Sequence, residues 1–318
     1  MNDENINARS DNPPSGARGK GVVIPAVTPL TGNLQLDEAA VESMFGNFHE
    51  HHVHPFILGT TGESASLPAT VKSNYLKAAV RYRKPNSVLY AGISSNCLEE
   101  SIAFAHECFD AGVDAVAATL PSYYALTEDQ MKKYFEQLAD AIKAPLVIYN
   151  IPATTHMSIP LQVIDELSHH EHIVATKDSE RSEERLQASW QLWKGRDDFS
   201  HFLGWAAKSA DALLNGSGLI PSTGNLYPKV YDDMANAAAN GDSARAHELQ
   251  RLSDALGNLY QGGRLLGESL RALKLLMNEV GLCEPYVMPP LQSLSAEEEK
   301  KIIEDWTIMV EKEGLNIG

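Results

Sequence analysis

Short apolar runs recur along this chain at intervals of about thirty residues, the span of one strand and one helix. They fall at residues 22–27, 55–58, 88–92, 114–119, 146–149, 173–177, 200–203 and 218–222. None alternates strictly between polar and apolar side chains, which is the pattern of parallel strands buried on both faces. Helical segments are predicted between them at 37–51, 69–83, 98–112 and 128–143. The last carries Glu128 and Asp129 in its first turn, where the helix macrodipole favours negative charge. Eight such units fill the chain from about residue 20 to 225, the length of a (β/α)8 barrel. An open doubly wound sheet is the rival for any βα repeat. No G-x-G-x-x-G follows the first run and no P-loop occurs, so the usual nucleotide signatures are missing and the barrel is preferred.

The predicted organisation has three parts. Residues 1–20, rich in Asn, Asp, Ser, Pro and Gly, read as a disordered leader. Residues 21–227 form the α/β TIM barrel. Residues 228–318 contain no convincing strand and read as a helical appendix packed on the barrel. It has an Ala-rich segment at 235–239, a Leu/Arg-rich stretch at 244–260 and apolar residues at helical spacing over 268–280.

A formal net charge of -16 leaves no basic excess for phosphate, which argues against nucleic acid or an anionic membrane surface as partner. The three cysteines, Cys97, Cys108 and Cys283, offer neither a disulfide framework nor a zinc spacing. No apolar run approaches the ~18 residues of a membrane span, and the N-terminus lacks the apolar core of a signal peptide. A cytoplasmic location is expected.

In a barrel of this kind, chemistry collects at the C-terminal ends of the strands. Those ends carry Thr60 and Thr61 between two glycines, Tyr123 and Tyr124 beyond Pro121, Tyr149-Asn150, Lys177, Gly204-Trp205, and Ser222-Thr223. Burial at a strand exit lowers a lysine pKa, and a neutral amine attacks a carbonyl to form a Schiff base. The bland alternative for Lys177 is a snorkelling stem that covers the strand end. Tyr149 lies 28 residues before Lys177, one βα unit, so both emerge at one rim. That suits a phenol acting as acid/base beside a carbonyl-binding amine, although a core tyrosine with a satisfied hydroxyl has the same pattern. The glycines flanking Thr60 and Thr61 would expose backbone N–H groups to a carboxylate.

GTTGES at 59–64, YNIPATT at 149–155 and TKDS at 176–179 resemble the dihydrodipicolinate synthase / N-acetylneuraminate lyase family. GVVIPAVTPL at 21–30 and GLIPSTGN at 218–225 resemble it as well. The resemblance implies a (β/α)8 barrel, a homotetramer or dimer, and class I aldolase-type chemistry on pyruvate or another 2-oxo acid, with no metal or organic cofactor. It makes Lys177 the Schiff-base lysine and Tyr149 the proton shuttle. Thr60 and Thr61 hold the substrate carboxylate, Thr60 also relaying a proton. Tyr123 matches a tyrosine donated across a subunit interface, with Tyr124 as the alternative because this chain reads Pro-Ser-Tyr-Tyr. Ser179, Thr154, Trp205 and Ile220 complete the expected substrate-binding set.

Two departures narrow the substrate. Thr154 stands where true dihydrodipicolinate synthases of the family carry an arginine for the second substrate's carboxylate, and threonine lacks the charged bidentate fork. Arg181 or Arg185 is the possible replacement. Gly204-Trp205-Ala206-Ala207-Lys208 lacks the acidic pair with which sialic-acid lyases bind a polyol tail. The expected activity is therefore an aldolase, lyase or dehydratase acting on a 2-keto-3-deoxy sugar acid or hydroxy-2-oxoglutarate. Dihydrodipicolinate synthesis, N-acetylneuraminate cleavage and a non-catalytic 2-oxo-acid sensor are the alternatives. The histidines at 49, 51, 52 and 54, and at 169, 170 and 172, precede strand starts and so fall at the opposite barrel end. The charged stretch 297–301 reads as a solvated helix face, and Arg271 and Lys274 as structural.

Overall fold

The computed structural model describes residues 21–315, so the predicted leader lies outside the described residues. Eight parallel strands pair in sequence order: β1 (Val23–Pro25), β2 (His54–Ile57), β3 (Tyr90–Gly92), β4 (Ala115–Ala118), β5 (Leu146–Asn150), β6 (Ile173–Asp178), β7 (Ser200–Leu203) and β8 (Gly218–Leu219). The sheet closes on itself through a parallel bridge between Val22 and Leu219, whose N–H donates to the Gly21 carbonyl at 2.9 Å. This is the (β/α)8 barrel that the thirty-residue period predicts.

Two apolar layers follow from strands buried on both faces. One fills the barrel with Val23, Phe56, Tyr90, Val147, Tyr149 and Phe202, among others. The other lies between strands and helices and includes Ile24, Ile57, Val116, Ile148 and Leu203. The pairing of β5 with β6 contains a register shift: Leu146 faces Ile173, but Val147 faces Ala175, leaving Val174 as an extra residue. A bulge of this kind resets the alternation of side chains beyond it. Val174 and Ala175 both face the barrel interior, and Lys177 comes level with Tyr149.

The four predicted helices appear as Glu38–Glu50, Ala69–Tyr82, Leu98–Ala111 and Glu128–Ile142. Asp37 and Thr127 cap the first and last by accepting backbone N–H groups of Ala40 and Gln130. The connection from β5 to β6 holds two pieces, Pro152–Thr155 and Leu161–Leu167, too short to leave a helical period in the sequence. The eighth strand ends earlier than the apolar run: Pro221 cannot donate to the ladder, and Ser222 and Thr223 lie in a 3-10 turn, Ser222–Asn225.

After β8 come helices Lys229–Ala239, Ser243–Gln261, Leu266–Glu279 and Ala296–Glu313. The charged stretch 297–301 forms the start of the last of these. Gln250 fastens Ser243–Gln261 to the loop after β7: its Nε2 donates to the Ala206 carbonyl (2.9 Å) and its Oε1 accepts the Ala210 N–H (2.9 Å). Among the described residues no helix is long and apolar enough to cross a membrane.

Candidate active site

Lys177 projects from β6 into the C-terminal end of the barrel, where it is 3% exposed. Its Nζ lies 4.0 Å from the centre of the Tyr149 ring and 5.0 Å from that of Phe56. The Tyr149 hydroxyl is 3.2 Å from Thr60 Oγ1. Burial lowers the Lys177 pKa below the ordinary lysine range, against the opposing pull of Tyr149. For Tyr149, burial alone would raise the phenol. The Lys177 cation, with hydrogen bonds from Thr60, Lys177 and Ser179, outweighs it, and the phenol is lowered. The amine and the phenol therefore compete for a proton in a dry site, the condition under which each serves as base to the other.

The loop after β2 brings Thr60 to this pair. Leu58 and Glu63, at either end of the Gly59-Thr60-Thr61-Gly62 turn, both have positive φ (57° and 58°). Side chains rarely adopt that conformation, so the turn is held by its surroundings. Thr28 Oγ1 donates to the Gly62 carbonyl at 2.6 Å. On the other side of the pair, a Cβ at Gly204 would sit 2.2 Å from Ser179 Oγ, so only glycine leaves Ser179 beside Tyr149.

Beneath the rim, a polar network fixes the ends of β5 and β6. Arg185 Nε donates to Asp178 Oδ2 (2.6 Å) and its Nη2 to the Ile159 carbonyl (2.9 Å). Asn150 Nδ2 donates to Asp178 Oδ1 (3.0 Å) and Glu180 Oε2 (3.1 Å). Arg185, one of two arginines the sequence offers for a second carboxylate, is thus committed to the scaffold.

A cavity of about 830 Å³ opens above Lys177. Thr60, Thr61, Tyr149, Lys177, Ser179, Trp205 and Ile220 all line it, so seven of the nine residues singled out from sequence converge. Thr154 and Tyr123 do not line it. Thr154 turns its hydroxyl back to the Ile151 carbonyl at 3.4 Å. Tyr123 is 78% exposed and packs edge-on against Tyr124, which is 74% exposed, with ring centres 4.9 Å apart. Lys208 pairs with Glu183 at 2.7 Å and covers the Trp205 ring, outside the cavity.

Sequence reasoning missed Phe56 and the far wall. Asp254, Asn258 and Gln261 line the cavity from helix Ser243–Gln261. Their spacing puts them on one helix face, a polar stripe detectable only once a partner surface is known. The histidines find separate partners: His52 lies 3.1 Å from Asp232 and His170 3.2 Å from Asp140.

The dihydrodipicolinate synthetase family matches residues 18–308. The chain belongs to that family. It is an enzyme of the lyase class that works through a lysine Schiff base, as the sequence motifs imply. A 4-hydroxy-tetrahydrodipicolinate synthase of Alkalilimnicola ehrlichii is 26% identical over 290 residues, 89% of this chain and 96% of the relative. An uncharacterised DapA-like lyase of Thermofilum pendens is 28% identical over 290 residues, 90% of this chain and 96% of the relative. The structure of dihydrodipicolinate synthase from Bacteroides thetaiotaomicron superposes with a TM-score of 0.85 at 28% identity, covering 91% of this chain and 98% of that one.

Proposed function

We propose that this enzyme cleaves or dehydrates a hydroxylated 2-oxo acid, of the 2-keto-3-deoxy sugar acid or hydroxy-2-oxoglutarate type, through an iminium on Lys177. The observation that carries the reading is the contact of Lys177 Nζ with the Tyr149 ring at 4.0 Å, with the Tyr149 hydroxyl 3.2 Å from Thr60. The Lys177 amine adds to the C2 carbonyl and water leaves, the Tyr149 hydroxyl giving the proton that makes the product an iminium and becoming a phenolate. Thr60 and Thr61 hold the C1 carboxylate and so orient the carbonyl against the amine. The iminium then accepts the electron pair of the C3–C4 bond. The C4 hydroxyl proton passes to the Tyr149 oxygen, and C4 departs as an aldehyde. The enamine takes a proton at C3, and water hydrolyses the iminium to return pyruvate and the free amine. In a dehydration, the Tyr149 oxygen takes a C3 proton instead and gives it to the C4 hydroxyl, which leaves as water.

Thr154 carries no charge, which argues against a second substrate anchored there as in dihydrodipicolinate synthesis. The exposed Tyr123–Tyr124 pair supports association with a second copy of the chain, in a dimer or tetramer that would cover two aromatic rings. The free thiols of Cys97, Cys108 and Cys283 support a reducing, cytoplasmic location.

Borohydride reduction in the presence of pyruvate is expected to add one pyruvate-derived group to Lys177, and Lys177→Ala to abolish it. A protein left unmodified under these conditions would overturn the reading. A panel of 2-keto-3-deoxy acids, read by pyruvate release beside aspartate semialdehyde condensation, tests the substrate class. Efficient condensation would show that the argument from Thr154 is wrong.

A further inference from the structure

We infer that Arg181 recognises a second negative charge on the substrate, so that the enzyme takes a 2-oxo dicarboxylic acid. The inference rests on Lys177 holding the 2-oxo end, and it names what else the same cavity selects.

Arg181 lines the cavity that Lys177 occupies and is exposed to it. The chain has 42 acidic side chains against 26 Lys and Arg, so a cation has many carboxylates to pair with. Arg185, Arg196, Lys208, Arg245 and Arg271 each have one within 2.8 Å. Among the described residues Arg181 makes no ion pair and no hydrogen bond. Its field reaches the buried Tyr260 hydroxyl on the cavity wall. A second guanidinium, Arg264, also lines the cavity. Its Nη1 is spent on the Leu259 carbonyl (3.0 Å), and its Nε is buried without a partner.

The acidic groups nearby do not supply the missing counter-charge. Glu180 is already bound by Ser158 Oγ (2.6 Å), Asn150 Nδ2 (3.1 Å) and Arg185 Nε (3.5 Å). Asp254 accepts from Gln250 Nε2 at 2.7 Å. Asn258, Gln261 and Ser222 line the same cavity as neutral hydrogen-bonding groups suited to hydroxyls. The cavity therefore combines an amine, neutral polar groups and a guanidinium without a carboxylate partner. In a molecule of net charge -16, a dianionic ligand needs such a local cation to offset long-range repulsion. A planar guanidinium meets a carboxylate through two parallel hydrogen bonds. Arg181 lies in the loop after β6, one βα unit beyond the segment after β5 that carries Thr154.

The test is competitive labelling. Equal amounts of 2-oxoglutarate and 2-oxopentanoate, which share a five-carbon chain and differ in the terminal carboxylate, are reduced onto the wild-type enzyme with borohydride. The two adducts on Lys177 are then counted by mass spectrometry. The dicarboxylate is expected to lead by about tenfold, the gain of one charge-assisted contact. In Arg181→Gln the ratio is expected to fall to within about twofold, 2-oxopentanoate taking up the share that the dicarboxylate loses, while Arg181→Lys, which keeps charge but not the fork, falls between. Equal labelling by the two acids in wild type, or a ratio that Arg181→Gln leaves unmoved, would overturn the inference. So would 2-oxoglutarate failing to compete in a protein that pyruvate labels. A protein that pyruvate itself does not label loses the Schiff-base reading instead, which keeps the two failures apart.

Discussion

Glu63 Oε1 lies 2.5 Å from Lys274 Nζ, and neither side chain has any exposed surface. Glu63 also accepts the Met288 N–H at 2.6 Å through Oε2, and Lys274 donates to the Tyr286 carbonyl at 2.7 Å. One buried pair thus joins the turn that presents Thr60 and Thr61 to helix Leu266–Glu279 outside the barrel. Removing one partner leaves a charge in a medium that cannot solvate it, at a cost of about 3–5 kcal/mol. Lys274→Met is expected to lose that much in urea unfolding and to weaken 2-oxo-acid binding by displacing the turn. The double variant Glu63→Gln with Lys274→Met is expected to recover part of the stability, because no charge is then stranded.

The pH dependence of adduct formation follows from the Lys177–Tyr149 contact. Burial lowers Lys177, so reduction onto pyruvate is expected to reach half its maximal rate at a pH below the ordinary lysine value. Tyr149 acts in the opposite direction on that lysine. Tyr149→Phe should therefore shift the trapping profile to still lower pH while turnover falls by about 10²–10⁴. A profile that stays in place while turnover falls would separate the proton shuttle from the tuning of the amine.

His201, on β7, faces the helices rather than the barrel interior. It is held by Ser217 Oγ at 2.9 Å, and burial pushes its imidazole down to about 4, with smaller effects from Asp178, which raises it, and Arg185, which lowers it. Below about pH 6.5 the unfolded chain takes up a proton that the folded chain refuses until about pH 4. Stability is therefore expected to fall across that window as pH drops, by up to about 3 kcal/mol from this residue. Replacing His201 with Gln should flatten that part of the stability profile, which denaturant titrations at pH 4.5 and 7 would measure as a change near those values.

Gly204 and Ser179 should be coupled. A Cβ at Gly204 meets Ser179 Oγ at 2.2 Å and Ser179 Cβ at 3.1 Å. Gly204→Ala is expected to cost about 1–3 kcal/mol by overpacking and to slow adduct formation by pushing Ser179 from the Tyr149 hydroxyl. Adding Ser179→Ala removes the nearer clash, so the pair should be less destabilised than the sum of the single variants. Additive losses in thermal unfolding would rule out this coupling.

The strands, their order and their parallel sense were legible in the sequence because burial on both faces leaves continuous apolar runs, and βα units repeat at a nearly fixed length. The rim set was legible for the same reason: a strand's last residue is known once the run is. Short pieces such as Pro152–Thr155 escaped because less than two turns leaves no period. The far wall escaped because helix Ser243–Gln261 shows polar residues on more than one side, and only packing selects the stripe that faces the cavity.

Sequence by itself determined which residue types stand at the strand ends: Lys177 near the end of β6 and Tyr149 one unit earlier. What it could not determine is which way Lys177 points. Strict alternation from Val174, which faces the barrel interior, would have turned Lys177 out toward the helices. The extra residue where β5 pairs with β6 places Ala175 on the interior face too, and so turns Lys177 inward opposite Tyr149. A bulge is a property of two paired strands, set by how their backbones twist against each other in the closed barrel. That decision belongs to the tertiary structure alone.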